Sequence, residues 1–170
     1  SIETFYGRIK GSSKKSRVFQ GRPSTKPVDD FLFLRTGDMG FMEDGKLYIN
    51  GRIKDMIIIR GKNYFPQDIE KVAQESFDGI KQGCIAAFGV LEENGNGNKE
   101  EKLVIVFEVR DKAVSTVDWS GIRSSIHRAV RAECGLHASK LVAIKERSIP
   151  KTTSGKIRRR ETKNRMLEGT

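Results

Sequence analysis

The sequence predicts an α+β fold, with a small mixed or antiparallel sheet packed against helices and a β-rich segment before it. Three observations predict this class. Runs of β-branched and apolar residues have the length of strands. Two segments carry apolar side chains at helical spacing. A charged cluster at residues 51–55 separates an all-β part from an alternating part, so we predict domains at residues 1–50 and 56–170 with a hinge between them.

The sequence of the first part, residues 1–50, predicts strands and tight turns. Residues 31–35 are an apolar run of strand length, which the polar residues 36–38 are expected to break. Asp44-Gly45 lies between apolar arms and predicts a hairpin, because Gly adopts the positive φ that such a turn requires. Asn50-Gly51 predicts a further turn. Residues 10–17 form a basic cluster and predict an exposed loop.

The second part predicts the order β-α-β-β-α-β-loop-α. Pro66 suits the first turn of a helix, and the apolar residues at 69, 72 and 73 give this helix a buried face. Asp118 suits the N-cap of the next helix. The predicted strands are residues 56–59, 80–90, 103–109 and 141–144; the second and third helices are residues 119–133 and 157–167; the loop is residues 149–156.

Composition excludes several classes of protein. With 36% hydrophobic residues, clustered rather than scattered, the chain can form a packed core. No apolar run approaches the ~20 residues of a membrane helix. The start of the chain lacks a secretory signal pattern and an initiating Met, as expected of a piece of a longer chain. Cys84 and Cys134 predict free thiols in a reducing, cytoplasmic compartment and no metal site.

The net charge of +10 raises the question of an anionic partner. The last twenty residues carry seven Lys or Arg and two Glu, which is half of the excess. Three interpretations of this basic tail stay open: solvated charge, binding of a small anionic ligand by a subset of the cations, and binding of nucleic acid.

Three short motifs carry possible chemistry. In residues 149–159 a single lysine, Lys156, follows Gly155 before a helix, where it can act as a point charge for carboxylate or phosphate oxygens. This stretch lacks the glycine spacing of a P-loop. Asp38 follows a strand and a Gly, where its carboxylate can accept hydrogen bonds from two vicinal hydroxyls. Arg52, Lys54 and Asp55 lie together at the predicted boundary. Considered one at a time, the three motifs could equally be a solvated loop, a turn residue and a charged linker.

In this order and spacing the motifs resemble those of the acyl-adenylate-forming superfamily, which includes acyl-CoA synthetases, fatty acyl-AMP ligases and luciferases. Thr36-Gly37-Asp38 is similar to its ribose-binding motif, Gly51-Arg52-Ile53-Lys54-Asp55 to its hinge motif, and residues 150–157 to its catalytic-lysine motif. The run Arg60-Gly61-Lys62-Asn63-Tyr64-Phe65-Pro66-Gln67-Asp68-Ile69-Glu70 most resembles fatty acyl-AMP ligases, although Phe65 stands where Tyr is commoner.

The resemblance implies roles for four residues. Lys156 would be catalytic, Asp38 and Arg52 would bind the nucleotide, and Lys54 would be the hinge. Asp55 receives no chemistry. Residues 1–50 would be the end of a large AMP-binding domain, and residues 56–170 the mobile C-terminal domain.

The resemblance also implies ATP or AMP as ligand, with Mg²⁺ bound mainly by the large N-terminal domain. The expected partners are that domain, a fatty acid, and an acyl carrier protein or CoA. This chain alone is not expected to be active. Three alternatives remain: an acyl-CoA synthetase, a non-catalytic binding or regulatory module, and a nucleic-acid-binding domain. His127, His137, Cys84, Cys134 and Trp119 are interpreted as structural.

Overall fold

A computed structural model describes residues 3–8, 33–110 and 118–169. The basic residues 10–17 lie outside this range. The chain forms two compact units, Ser1–Lys54 and Asp55–Thr170, which are described in turn. Their assignment to the end of a large domain and to a mobile domain stays a prediction.

The first unit contains a three-stranded antiparallel sheet in the order β1-β2-β3. Its strands are β1 Glu3–Arg8, β2 Phe33–Glu43 and β3 Lys46–Arg52. The predicted hairpin at Asp44-Gly45 is confirmed, since both residues have positive φ, 49° and 72°, between β2 and β3. This is the geometry of a two-residue turn that matches the twist of its strands.

Two predicted interruptions in this unit are wrong. Residues 36–38 do not end a strand, because β2 continues through them to Glu43. The pairing of β2 with β1 changes register there instead, between the partners of Thr4 and Tyr6. Asn50-Gly51 is not a turn either; it lies inside β3, where the register shifts opposite Met39 and Gly40. A β-bulge accommodates such extra residues without ending the strand.

The second unit is an α+β domain built on a mixed sheet, so the predicted fold class is confirmed. Strand β6 pairs antiparallel with β7, and β7 pairs parallel with β8. A small hairpin, β4 with β5, precedes this sheet. The strands are β4 Ile57–Ile59, β5 Lys62–Tyr64, β6 Ile80–Glu93, β7 Lys99–Val109 and β8 Ala138–Ile144; the helices are α1 Pro66–Glu75, α2 Trp119–Cys134 and α3 Arg159–Glu168.

Both faces of the sheet are apolar and covered. Side chains alternate between the faces along β6 and β7, as strand geometry requires. Leu103, Ile105 and Phe107 join the buried faces of α1 and α2 in the larger core cluster. Val104 and Val106 point to the other face, where partly buried residues of β8 and α3 pack against them. The sheet is therefore the middle layer between α1 and α2 on one side and α3 on the other.

The predicted strand at residues 56–59 ends as expected, since β4 ends at Ile59. Arg60 and Gly61 (φ 51° and 74°) then form a two-residue turn into β5, a strand that was not predicted. One local prediction in this unit is wrong. The last helix begins at Arg159 rather than at residue 157. Ile157 is instead bridged to Lys151, and this pairing keeps it extended.

Among the residues that the structure describes, none belongs to a helix with the length and apolarity needed to span a membrane.

Candidate functional site

The structure brings Asp38 and Arg52 together in the first unit. They are direct register partners on β2 and β3, and Arg52 Nε lies 3.1 Å from Asp38 Oδ1. The backbone N–H of Asp38 donates to Thr36 Oγ1 at 3.1 Å, which holds the strand beside the carboxylate. A cleft of about 250 Å³ adjoins the pair, lined by Thr36, Gly37, Arg52, Ile53 and Lys54. A carboxylate has two acceptor oxygens, so this one can take a ligand hydroxyl while paired with the guanidinium.

Lys54 is exposed and is the last residue of the first unit. It lies in a single 3-10 turn, Ile53–Asp55, which connects β3 to the strand hairpin of the second unit. Its role as a hinge stays a prediction.

Lys156 lies at the end of a closed turn in the second unit. The bridge between Lys151 and Ile157 closes this segment, which we call the lysine turn (residues 151–157). Inside it the backbone N–H of Thr152 donates to the Lys156 carbonyl at 2.8 Å, and that of Lys156 donates to Thr152 Oγ1 at 3.0 Å. Gly155 donates to the Thr152 carbonyl with a φ of 80°. The Lys156 side chain is exposed, and within the described residues no ion pair engages it.

A buried carboxylate, Glu108 on β7, holds the chain that leads into the lysine turn. Its side chain is 1% exposed, and Oε1 accepts a hydrogen bond from the Ile149 backbone at 2.8 Å. Lys81 Nζ lies 3.7 Å from the other oxygen and 2.8 Å from Glu146. Ile149 itself is buried at 6% exposure. The first arm of the turn is therefore fixed at its backbone and at its side chain.

A second buried carboxylate, Glu70 on α1, holds the chain that leaves the turn. Arg159 donates to it through two nitrogens, Nε to Oε1 and Nη2 to Oε2, both at 2.6 Å. Glu70 Oε1 also accepts from the Ala87 backbone at 2.9 Å. Asp55, which received no role from the sequence, lies 3.8 Å from Arg159 Nη1. Such a planar two-point pair fixes orientation as well as distance.

These surroundings shift the protonation of three groups. Burial alone would raise the pKa of Glu108. Hydrogen bonds from the backbones of Ile149 and Arg147 lower this pKa, and so do a hydrogen bond from Cys84 and the positive charge of Lys81. Together they outweigh burial, so the pKa of Glu108 lies below its usual value. The hydrogen bonds from Arg159 to Glu70 raise the arginine pKa. Burial raises the pKa of Cys84, only partly offset by the 3.1 Å hydrogen bond from Lys151 Nζ. Glu108 is therefore ionised and Cys84 is a thiol at neutral pH.

The sequence did not reveal Glu70, Glu108 and Arg159 as supports of the lysine turn. One signal was available for Glu108: it is the only charged residue in an otherwise continuous apolar run, residues 103–109. A charge in a strand buried on both faces is costly unless it is paired, so it predicts a specific partner. Glu70 and Arg159 lie 89 residues apart, and sequence alone does not indicate their contact.

The two cysteines and two histidines, which were interpreted as structural, lie in contact with neighbouring side chains. Cys84 is buried and both cysteines are free. The rings of His127 and His137 stack with centroids 4.6 Å apart, and burial lowers the pKa of His127. Residues 3–8, 33–110 and 118–169 contain no group of three or more His, Cys, Asp or Glu side chains placed to hold a metal ion.

Comparison with solved structures indicates the class. The chain is similar to a solved structure from a study of fatty acyl-adenylate ligases of E. coli and L. pneumophila, with a TM-score of 0.62 and 34% sequence identity. The match covers 81% of this chain and 23% of that one. No protein-family model matches. The fold and this similarity together identify the class as the adenylate-forming enzymes.

Curated relatives narrow the class. The chain is 46% identical over 138 residues to the medium-chain-fatty-acid–acyl-carrier-protein ligase JamA of Moorena producens, covering 81% of this chain. It is 35% identical over 184 residues to the long-chain-fatty-acid–AMP ligase FadD32 of Mycolicibacterium smegmatis, covering 99%. The chain spans only 22% and 28% of the length of these two relatives. It belongs to the acyl-adenylate-forming superfamily, where it matches a C-terminal portion of the fatty acyl-AMP ligases.

Proposed function

We propose that this chain is the part of a fatty acyl-AMP ligase that supplies the adenylation lysine and rotates between two half-reactions. The observation that carries the proposal is the lysine turn: an exposed ammonium group stands at the end of a closed turn whose two arms are anchored to buried carboxylates. Similarity to JamA and FadD32 supports the substrate class, a fatty acid.

The chemistry explains why such a lysine is needed. A fatty carboxylate oxygen attacks the α-phosphorus of ATP, and pyrophosphate leaves with the bonding electrons, forming the acyl-adenylate. Both reactants are anions, so the barrier falls when a fixed cation lies beside the carboxylate and phosphate oxygens. Lys156 supplies that charge as a compact point donor.

The first unit would hold the nucleotide. Asp38 accepts hydrogen bonds from the ribose hydroxyls, and Arg52, 3.1 Å from its carboxylate, holds that carboxylate in orientation. Lys54, beside the same cleft, is the pivot about which the second unit rotates. Mg²⁺ would neutralise the phosphates of ATP and would be held mainly by residues outside this chain.

The proposed acceptor is the pantetheine thiol of an acyl carrier protein, whose sulfur attacks the acyl carbonyl and displaces AMP. The name of JamA, an acyl-carrier-protein ligase, supports this acceptor. A second candidate is free CoA, because the similar FadD21 of Mycobacterium tuberculosis carries the name of a putative fatty-acid–CoA ligase. Transfer rates to the two thiols at equal concentration distinguish the two candidate acceptors.

The proposed compartment is the cytoplasm.

Lys156→Ala in the full-length enzyme tests the proposal. We expect acyl-AMP formation, measured as ATP–pyrophosphate exchange, to fall by roughly 10²–10³-fold, the loss typical of one preorganised electrostatic donor. Transfer from supplied acyl-AMP should stay near the wild-type rate. Arg160→Ala removes a neighbouring exposed cation and is the matched control. Unchanged exchange in Lys156→Ala would favour a non-catalytic module instead.

A further inference from the structure

We propose that Glu108 and Arg159 are positioning residues that determine where Lys156 stands, one for each arm of the lysine turn. The proposal rests on the proposed function, because it assigns them to the step that Lys156 serves. Glu108 lies outside the three motifs that define the candidate site, 48 residues before Lys156, and Arg159 is the last residue of the stretch 149–159 that contains Lys156.

The hydrogen bonds of Thr152 and Gly155 go to other members of the turn, Lys156 among them. These bonds fix the shape of the turn but do not fix its orientation on the sheet. Lys151 Nζ reaches the sheet, where it donates to Cys84 Sγ on β6 at 3.1 Å. Beyond this bond, the two arms that enter and leave the turn hold its orientation.

Glu108 holds the arm that enters the lysine turn. Glu108 faces away from the larger core cluster, on the same side of β7 as Val104 and Val106. An apolar side chain there would suit the packing, yet the position holds a carboxylate that is 1% exposed. Its acceptor oxygen receives the Ile149 N–H at 2.8 Å, one residue before the Pro150 that begins the lysine motif. Removal of this acceptor would free the arm and leave a buried N–H unpaired.

Arg159 holds the arm that leaves the lysine turn. Arg159 is three residues after Lys156, and both of its bonds to Glu70 measure 2.6 Å. Glu70 is itself held by the Ala87 N–H on β6, so the arm is tied to the central sheet through α1. A lysine at position 159 would keep the charge and lose the two-point geometry.

A buried ion pair alone is weak grounds for assigning a role in stability, because apolar residues of similar volume often serve as well. The two carboxylates here have a more specific arrangement. They lie on different elements, β7 and α1, and each contacts one arm of the same short turn, two residues beyond its end. A displacement of ~1 Å at a reacting group can cost about 100-fold in rate. The arrangement therefore affects the rate of the lysine-dependent step.

The test compares the two half-reactions of the full-length enzyme in Glu108→Leu, which removes the acceptor oxygen, and in Arg159→Lys. We expect each to lower ATP–pyrophosphate exchange by roughly 10- to 100-fold. Transfer from supplied acyl-AMP should stay within about twofold, because correct folding and acceptor binding do not need Lys156 in place. Glu108→Gln keeps an acceptor oxygen for the Ile149 N–H and should retain more exchange than Glu108→Leu. Glu100→Leu on the same strand and Arg165→Lys on α3 alter exposed ion pairs and are the matched controls. Equal loss in both half-reactions would overturn the positioning role in favour of a purely structural one.

A second comparison separates this inference from the proposed function. In a Lys156→Ala background, Glu108→Leu and Arg159→Lys should lower exchange by no more than about twofold further, since they act through the missing ammonium group. A full additional loss there would overturn the inference and leave the role of Lys156 intact. If Lys156→Ala itself leaves exchange unchanged, the proposed function fails, and the inference that depends on it fails with it.

Discussion

At the scale of single residues, the proposed nucleotide-binding pair of Asp38 and Arg52 is not expected to stabilise the fold. Their ion pair joins neighbouring strands at 3.1 Å, but the side chains are 32% and 52% exposed. Exposed pairs of this kind contribute about 0–1 kcal/mol to folding. The pair therefore contributes little to the stability of the fold. Its removal should weaken nucleotide binding instead.

Asp38→Asn tests this distinction. We predict that the KM for ATP rises by roughly tenfold, because a charged acceptor of the ribose hydroxyls is lost, while the melting temperature stays nearly constant. Glu43→Gln, at the exposed end of the same strand, is the control and should change neither quantity. A large loss of stability with unchanged KM would show that Asp38 is a structural residue.

The residue scale also shows what the sequence could predict. Lys156, Asp38 and Arg52 could be proposed as site residues because their motifs are local and follow one another in order. Their supports were missed because the contacts of Glu108 with Ile149 and of Glu70 with Arg159 span 41 and 89 residues. Local pattern carries no information on such pairings.

At the scale of elements, the lysine turn depends on one glycine. Gly155 has a φ of 80°, and a Cβ added there would meet no atom within 4 Å. A substitution would therefore cost only backbone strain, which for an L-residue in this region is about 1–2 kcal/mol. Element boundaries were predicted less well than element types, since bulges and bridges, as at Asn50 and Ile157, depend on the neighbouring strand.

Gly155→Ala should lower the free energy of unfolding by about 1–2 kcal/mol in denaturant titrations, and it should lower acyl-AMP formation more than acyl transfer. The control is Gly95→Ala, because Gly95 also has open space around it but lacks a positive φ. If both variants behave alike, the strained conformation of Gly155 is not required.

At the scale of the whole molecule, the fold class followed from the hydrophobic pattern, because the continuous apolar runs in β6 and β7 reflect two covered faces. The chain divides into compact units between Lys54 and Asp55. Asp55 contacts Arg159 within the second unit, so the residue after the division is tied to the same network as the lysine turn. A pivot confined to the residues just before Asp55 would move that network as one body.

Lys54→Pro tests the pivot. Proline fixes φ near −65° and removes the N–H, so rotation at this position is blocked. In the full-length enzyme we predict that one half-reaction falls by at least about tenfold while the other persists. Lys54→Ala removes the same side chain, leaves the backbone free and should retain both. Wild-type rates of both half-reactions in the proline variant would place the pivot elsewhere.

Affinity labelling of the full-length enzyme tests whether Lys156 contacts the anionic oxygens of the nucleotide. An adenosine derivative with an amine-reactive sulfonyl fluoride in place of the phosphates would be reacted with the enzyme, and the modified lysine identified by peptide mass spectrometry. We expect modification at Lys156, and we expect ATP to prevent it. ATP-protected modification of a different lysine, with Lys156 unmodified, would contradict this expectation.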